Sequence, residues 1–71
     1  MITKENLDNW FTYHSPSAEQ LPKYQAIREA GAALAETIVV NSPASADQTA
    51  AVRSVRLAVM QANAAIACDG Q

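Results

Sequence analysis

An all-α fold, a short N-terminal helix followed by a long antiparallel helical hairpin that oligomerises, is what this sequence predicts. Three observations point there. Apolar residues recur at heptad spacing along two long stretches: Tyr24, Ile27, Gly31, Leu34 and Ile38 on one, Val52, Val55, Val59, Ala62 and Ile66 on the other. Capping residues stand ahead of three segments, and Pro16 and Pro43 separate them. The chain has 71 residues, and domains below ~70–80 residues usually need disulfides, a metal or oligomerisation to be stable.

The first helix is expected over about 3–11, with Thr3 as N-cap and Ile2, Leu7, Trp10 and Phe11 giving one apolar side. The run from Tyr13 to Pro16 ends it. Ser17 and Gln20 then have the spacing of a capping box, with Glu19 favourably placed in a first turn, so the second helix is expected over about 18–40. Pro22 lies deep for that start, which points to an irregular first turn or a later beginning. "NSPAS" stops this helix, because Pro43 disfavours helical geometry at Ser42. Ser45 and Gln48 repeat the capping pattern, Asp47 adds charge at the new N-terminus, and the third helix is expected over about 45–67.

The short linker makes the two long helices antiparallel neighbours, so the whole chain, 1–71, reads as one helical hairpin domain. Folded about Pro43, the seams pair in layers: Leu34 with Val52, Gly31 with Val55, Ile27 with Val59, Tyr24 with Ala62 and Gln20 with Ile66. Large residues meet small ones, as interdigitating layers require. Gly31 costs roughly 1 kcal/mol of helix propensity relative to alanine, and close approach of the helices there is the reason for it. One seam is too small a core for a hairpin alone. Alanines on further faces, among them Ala30, Ala33, Ala58 and Ala65, let helices approach closely and suit packing against other copies of the chain.

Composition narrows the function classes. With 49% hydrophobic and 17% charged residues the chain is a folded protein rather than a disordered one. A net charge of −2 argues against DNA as a partner, since phosphate-backbone binding needs an extended basic face, and there is no basic recognition helix. A small anion held by a few arginines is compatible with it. Cys68 is the one cysteine and reads as a free thiol; with one histidine it cannot furnish a zinc site. No metal and no cofactor are expected. The sequence has no membrane span and no signal-peptide pattern, which places the protein in a reducing cytoplasm.

No catalytic residues are assigned. There is no glycine-rich phosphate loop, no nucleophile elbow and no triad spacing, so the chain reads as a non-enzyme. The basic residues say more. Lys23 follows Glu19 by four positions, a helix-surface pair. Arg28, Arg53 and Arg56 have no acid three or four residues away on their own helices. Cross-helix bridges from Arg53 to Glu36 and from Arg56 to Glu29 are one reading. Contact with an anion is the other, and it suits Arg28 best, because a guanidinium fork matches phosphate oxygens.

"WFTYHSPSAEQ", residues 10–20, crowds three of the four aromatics and the histidine beside a loop. Trp10 and Phe11 are expected to pack inward and Tyr13 and His14 to face solvent. An exposed tyrosine ring offers a flat face to a nucleobase, worth ~1–3 kcal/mol in single-strand binders. The structural alternatives are a surface-packed Tyr13 and a capping or core-edge His14.

"FTYHSPSAEQ", "YQAIREAG" and "SADQTAAVRSVRLAVMQANAAIA" resemble the phage anti-CBASS family of cyclic-nucleotide sponges, whose helical hairpin also occurs in a family of anti-Thoeris sponges. The likeness runs from about Asn9 to Ala67. It rests on Phe11, Tyr13, His14, Pro16, Gln20, Tyr24, Ile27, Arg28 and the closing "ANAAIA" taken together. The resemblance implies a homohexamer in the cytoplasm of an infected bacterial host that sequesters cyclic dinucleotides such as cyclic GMP-AMP before they activate defence effectors. By the same resemblance an aromatic of the Phe-x-Tyr-His segment lies against the bases and a basic side chain of the next helix lies near the phosphates. The matching positions are Tyr13 and Arg28, with Phe11, His14 and Arg56 as further ligand-binding candidates.

The resemblance also implies separate pockets for cyclic trinucleotides. Where relatives often carry a basic residue directly after "NAAIA", this chain has Cys68; a pocket that uses that charge is weakened here or takes another ligand. The competing expectation is a non-catalytic α-helical oligomeric adaptor that binds a protein through its first helix or its alanine-rich faces.

Overall fold

The computed structural model describes residues 1–70. It is all-α, with three helices among the described residues: α1 (Lys4–Phe11), α2 (Leu21–Asn41) and α3 (Ala46–Ala67). α1 starts in a reciprocal capping box. The Thr3 hydroxyl accepts from the Asn6 N–H at 3.1 Å, and the Asn6 side-chain Oδ1 accepts from the Thr3 N–H at 3.1 Å.

The Ser17–Gln20 box forms as well, through Ser17 N–H to Gln20 Oε1 at 3.0 Å and Gln20 N–H to Ser17 Oγ at 3.2 Å. It closes a separate turn over residues 18–20, and α2 begins at Leu21. Pro22 is the cause: in a helix starting at residue 18 its missing N–H would be owed to the Ala18 carbonyl, whereas in the first turn no such bond is needed.

α2 and α3 pack as the hairpin, and its register is anchored at three levels. A Cβ placed on Gly31 would sit 2.5 Å from Val59 Cγ2 and 3.9 Å from Val55 Cγ1, so the helices approach closely there and a side chain at this position would force Val59 to shift. Val59, rather than Val55, is thus the first neighbour of Gly31. At the open end Gln20 Nε2 donates to the Ile66 carbonyl at 3.3 Å. At the linker Ser45 Oγ caps α3 by accepting from Gln48 N–H, while the Gln48 side chain reaches across to the Ser42 carbonyl at 2.9 Å and the Val39 carbonyl at 3.2 Å. The box expected at Ser45 is therefore half formed, because Gln48 is drawn to the carbonyls that α2 leaves unpaired at its end.

The seam departs from strict heptads at one place. Leu34 is 52% exposed, and Ala35 is half-buried together with Ile38. Leu34 and Ala35 flank the contact on its two sides: Leu34 lines a hollow with Ile27, Gly31 and Val55, and Ala35 one with Gly31, Val52 and Val55.

Among the described residues none is fully buried. The molecule is a slab of 44 × 30 × 15 Å with a radius of gyration of 15.1 Å, against about 11 Å for a compact domain of this length. No helix among the described residues is long and apolar enough to cross a membrane.

Candidate functional site

The loop after α1 is shaped by helix-end chemistry. A helix leaves its last carbonyls without partners, and here side chains from the loop supply them: Thr12 Oγ1 donates to the Asp8 carbonyl, and His14 Nε2 to the Asn9 carbonyl at 2.7 Å. The carbonyl can only accept, so the proton is on Nε2. His14 is half-buried as a result, not solvent-facing as the sequence suggested. Phe11 departs in the other sense. It is 84% exposed, as α1 buries none of its residues, and Trp10 is 44% exposed. Tyr13 stands out from the loop at 82% exposure.

Below the loop, His14, Pro16, Leu21, Tyr24, Gln25 and Arg28 line an open groove of about 900 Å³. The first turn of α2 forms its floor, and Arg28 stands one helical turn beyond Tyr24. Tyr13 is not among the groove's walls, so a single chain brings Arg28 together with His14 and Tyr24 but not with Tyr13. Tyr24 was legible only as a seam residue. Its place one turn before Arg28 is the signal that it also lines the groove.

Arg28 faces a second hollow as well, a trough of about 280 Å³ along one side of the seam, floored by Gly31, Val55 and Val59 and shared with Arg56 and Met60. Arg56 also lines a neighbouring depression with Arg53, Leu57 and Met60. The three arginines therefore succeed one another across one side of the hairpin. The cross-helix bridges expected from Arg53 to Glu36 and from Arg56 to Glu29 are absent among the described residues. Glu29 is occupied on its own helix, where its Oε1 accepts from Gln25 Nε2 at 2.9 Å. Exposed guanidinium groups without a carboxylate can accommodate the oxygens of an anion.

Cys68 is a half-buried free thiol at the end of α3, where no basic side chain stands in its place. Asn9 Nδ2 donates to the Cys68 carbonyl at 3.2 Å, tying α1 to that end.

Neither the curated proteins nor the solved structures gave a match to the chain. A protein family does: the family described as Acb2/Tad1, hairpin domain, matches residues 3–67, from the cap of α1 to the last residue of α3. With that span covering the loop, the groove and both seam helices, the chain belongs to the Acb2/Tad1 hairpin-domain family, whose general role is that of phage anti-defence sponges.

Proposed function

We propose that this protein binds cyclic dinucleotides such as cyclic GMP-AMP and holds them uncleaved, so that CBASS effectors in the cytoplasm of the infected bacterial host are not activated. The observation that carries the reading is the pairing of an 82% exposed Tyr13 ring with an Arg28 that has no carboxylate partner among the described residues and stands at a groove. Tyr13 supplies a face for a base, with Phe11 beside it in sequence, and Arg28 a fork for a phosphate. One chain keeps these groups apart, and the site is completed between copies.

A homohexamer suits both the ligand and the chain. A cyclic dinucleotide has two bases and two phosphates, which a two-fold interface can meet with each group supplied twice. The absence of any fully buried residue among those described leaves apolar surface for such packing. Arg56, across the seam from Arg28, extends the basic strip. Cyclic trinucleotides are a second ligand class, weakened by Cys68 in the position where relatives often carry a basic residue.

The test is a calorimetric titration of the full chain with cyclic di- and trinucleotides, followed by denaturation and chromatography of the released ligand. Intact cyclic dinucleotide is expected, bound by the parent and lost in Tyr13→Ala and Arg28→Ala. Linear products would make the protein an enzyme; normal binding by both variants would move the site elsewhere. The adaptor reading draws on the exposed Leu7, Trp10 and Phe11 of α1, and it requires that no cyclic nucleotide bind.

A further inference from the structure

The Tyr13 loop is fastened at both ends to the C-terminal turn of α3. On one side, the Asn9 carbonyl receives His14 Nε2 at 2.7 Å and the Cys68 thiol at 3.9 Å, while Asn9 Nδ2 donates to the Cys68 carbonyl. On the other, Gln20 Nε2 donates to the Ile66 carbonyl at 3.3 Å. That turn of α3 is itself fixed, by Gly70 N–H to the Ala65 carbonyl at 2.9 Å and Asp69 N–H to the Ile66 carbonyl at 3.2 Å, with Asp69 in the left-handed region at φ 53°. Between the two fastenings Tyr13 makes no hydrogen bond of its own and is almost wholly exposed.

We propose that His14 is a positioning residue: by donating from Nε2 to the Asn9 carbonyl it clamps the loop to α1 and the end of α3, and so presents Tyr13 in a preset place. The inference rests on the reading of Tyr13 as the stacking ring. Its physical content is preorganisation. A ring on a free loop must be ordered when the ligand arrives, whereas one held beforehand loses less freedom on binding. His14 also lines the groove that contains Arg28, so the alternative it excludes is a direct contact between imidazole and ligand.

The experiment uses the full chain and cyclic GMP-AMP, with His14→Phe and His14→Gln made alone and combined with Tyr13→Ala. Glutamine places an amide N–H about where Nε2 stands, and phenylalanine keeps the ring without the donor. His14→Phe is expected to weaken binding by about five- to tenfold, His14→Gln by less than about twofold, and neither to add to the loss caused by Tyr13→Ala. Equal losses for the two variants, or losses that add to Tyr13→Ala, would overturn the proposal in favour of direct contact. Backbone 15N relaxation without ligand provides a second readout. Order parameters of residues 12–15 should fall in His14→Phe and stay at the parental value in His14→Gln, with helical circular dichroism unchanged in both. Unchanged order parameters in His14→Phe would sink the clamp. If Tyr13→Ala binds normally, it is the stacking reading that fails, and the relaxation data alone decide whether the clamp exists.

Discussion

The seam between α2 and α3 and the segment from α1 to Gln20 are held by different forces. In the seam, Ile27, Gly31, Val55 and Val59 meet one another, and the fit is set by the volume of side chains. In the N-terminal segment, His14 bonds to the Asn9 carbonyl, Asn9 and Gln20 donate to the Cys68 and Ile66 carbonyls at the end of α3, and the large apolar groups, Phe11 and Tyr13, face water. A seam uses its apolar surface to stabilise its own fold. A segment that satisfies its polar groups internally and leaves its aromatics exposed has surface available for something outside the chain.

The sharpest way to break the comparison is at Gly31. Gly31→Leu should destabilise the hairpin by up to ~3 kcal/mol, since even a Cβ would stand 2.5 Å from Val59 Cγ2. Gly31→Ala gains ~1 kcal/mol of helix propensity but meets the same methyl group. Combining it with Val59→Ala is expected to cost less than the two single changes added together. Thermal melts by circular dichroism at one fixed protein concentration measure this, the concentration being fixed because assembly shifts apparent stability. Additive losses would mean that Gly31 and Val59 are not in the contact described.

Tyr13→Ala is the counterpart in the other region. Cyclic GMP-AMP binding should weaken by roughly 1–3 kcal/mol, about five- to 150-fold in Kd. The melting transition should stay within about 0.5 kcal/mol of the parent, as for other exposed positions. A variant that loses stability instead would make Tyr13 part of the fold. Gln48→Ala tests the polar closure of the hairpin: its two N–H groups are shared among Val39 and Ser42 acceptors, and the expected cost is about 1–2 kcal/mol with ligand affinity unchanged.

Legibility in the sequence follows the same division. The helical seam could be read because periodicity is a local property: every third or fourth position carries the pattern, and Gly31 breaks helix propensity where the helices come close. At Leu34 the heptad count was coarser than the structure, in which Leu34 and Ala35 flank the contact on its two sides. Residues 10–20 resisted for another reason. Whether Phe11 and His14 face inward depends on which carbonyls the end of α1 leaves open and on where α3 ends, and no pattern within eleven residues encodes that. Tyr24 was seen as one of the seam residues, and its second face toward Arg28 emerged only with the groove.

The smallest effect concerns a residue that belongs to both regions. Asn63 lies on α3 between Val59, which meets Gly31, and Ile66, whose carbonyl receives Gln20, so its level on the hairpin is that of Lys23 to Ile27. Its Oδ1 is buried and has no hydrogen-bond partner. An acceptor in that condition carries the desolvation penalty without the bond that offsets it, and an apolar side chain of similar volume does not. Asn63→Leu should therefore be neutral or stabilising, by less than about 1 kcal/mol in a denaturant melt. A loss of more than that would mean that a donor reaches Oδ1 from a second copy of the chain, and the loss should then shrink on dilution as the copies separate. The sign of this one change thus tells whether the hairpin face at Asn63 is open or occupied by a neighbour.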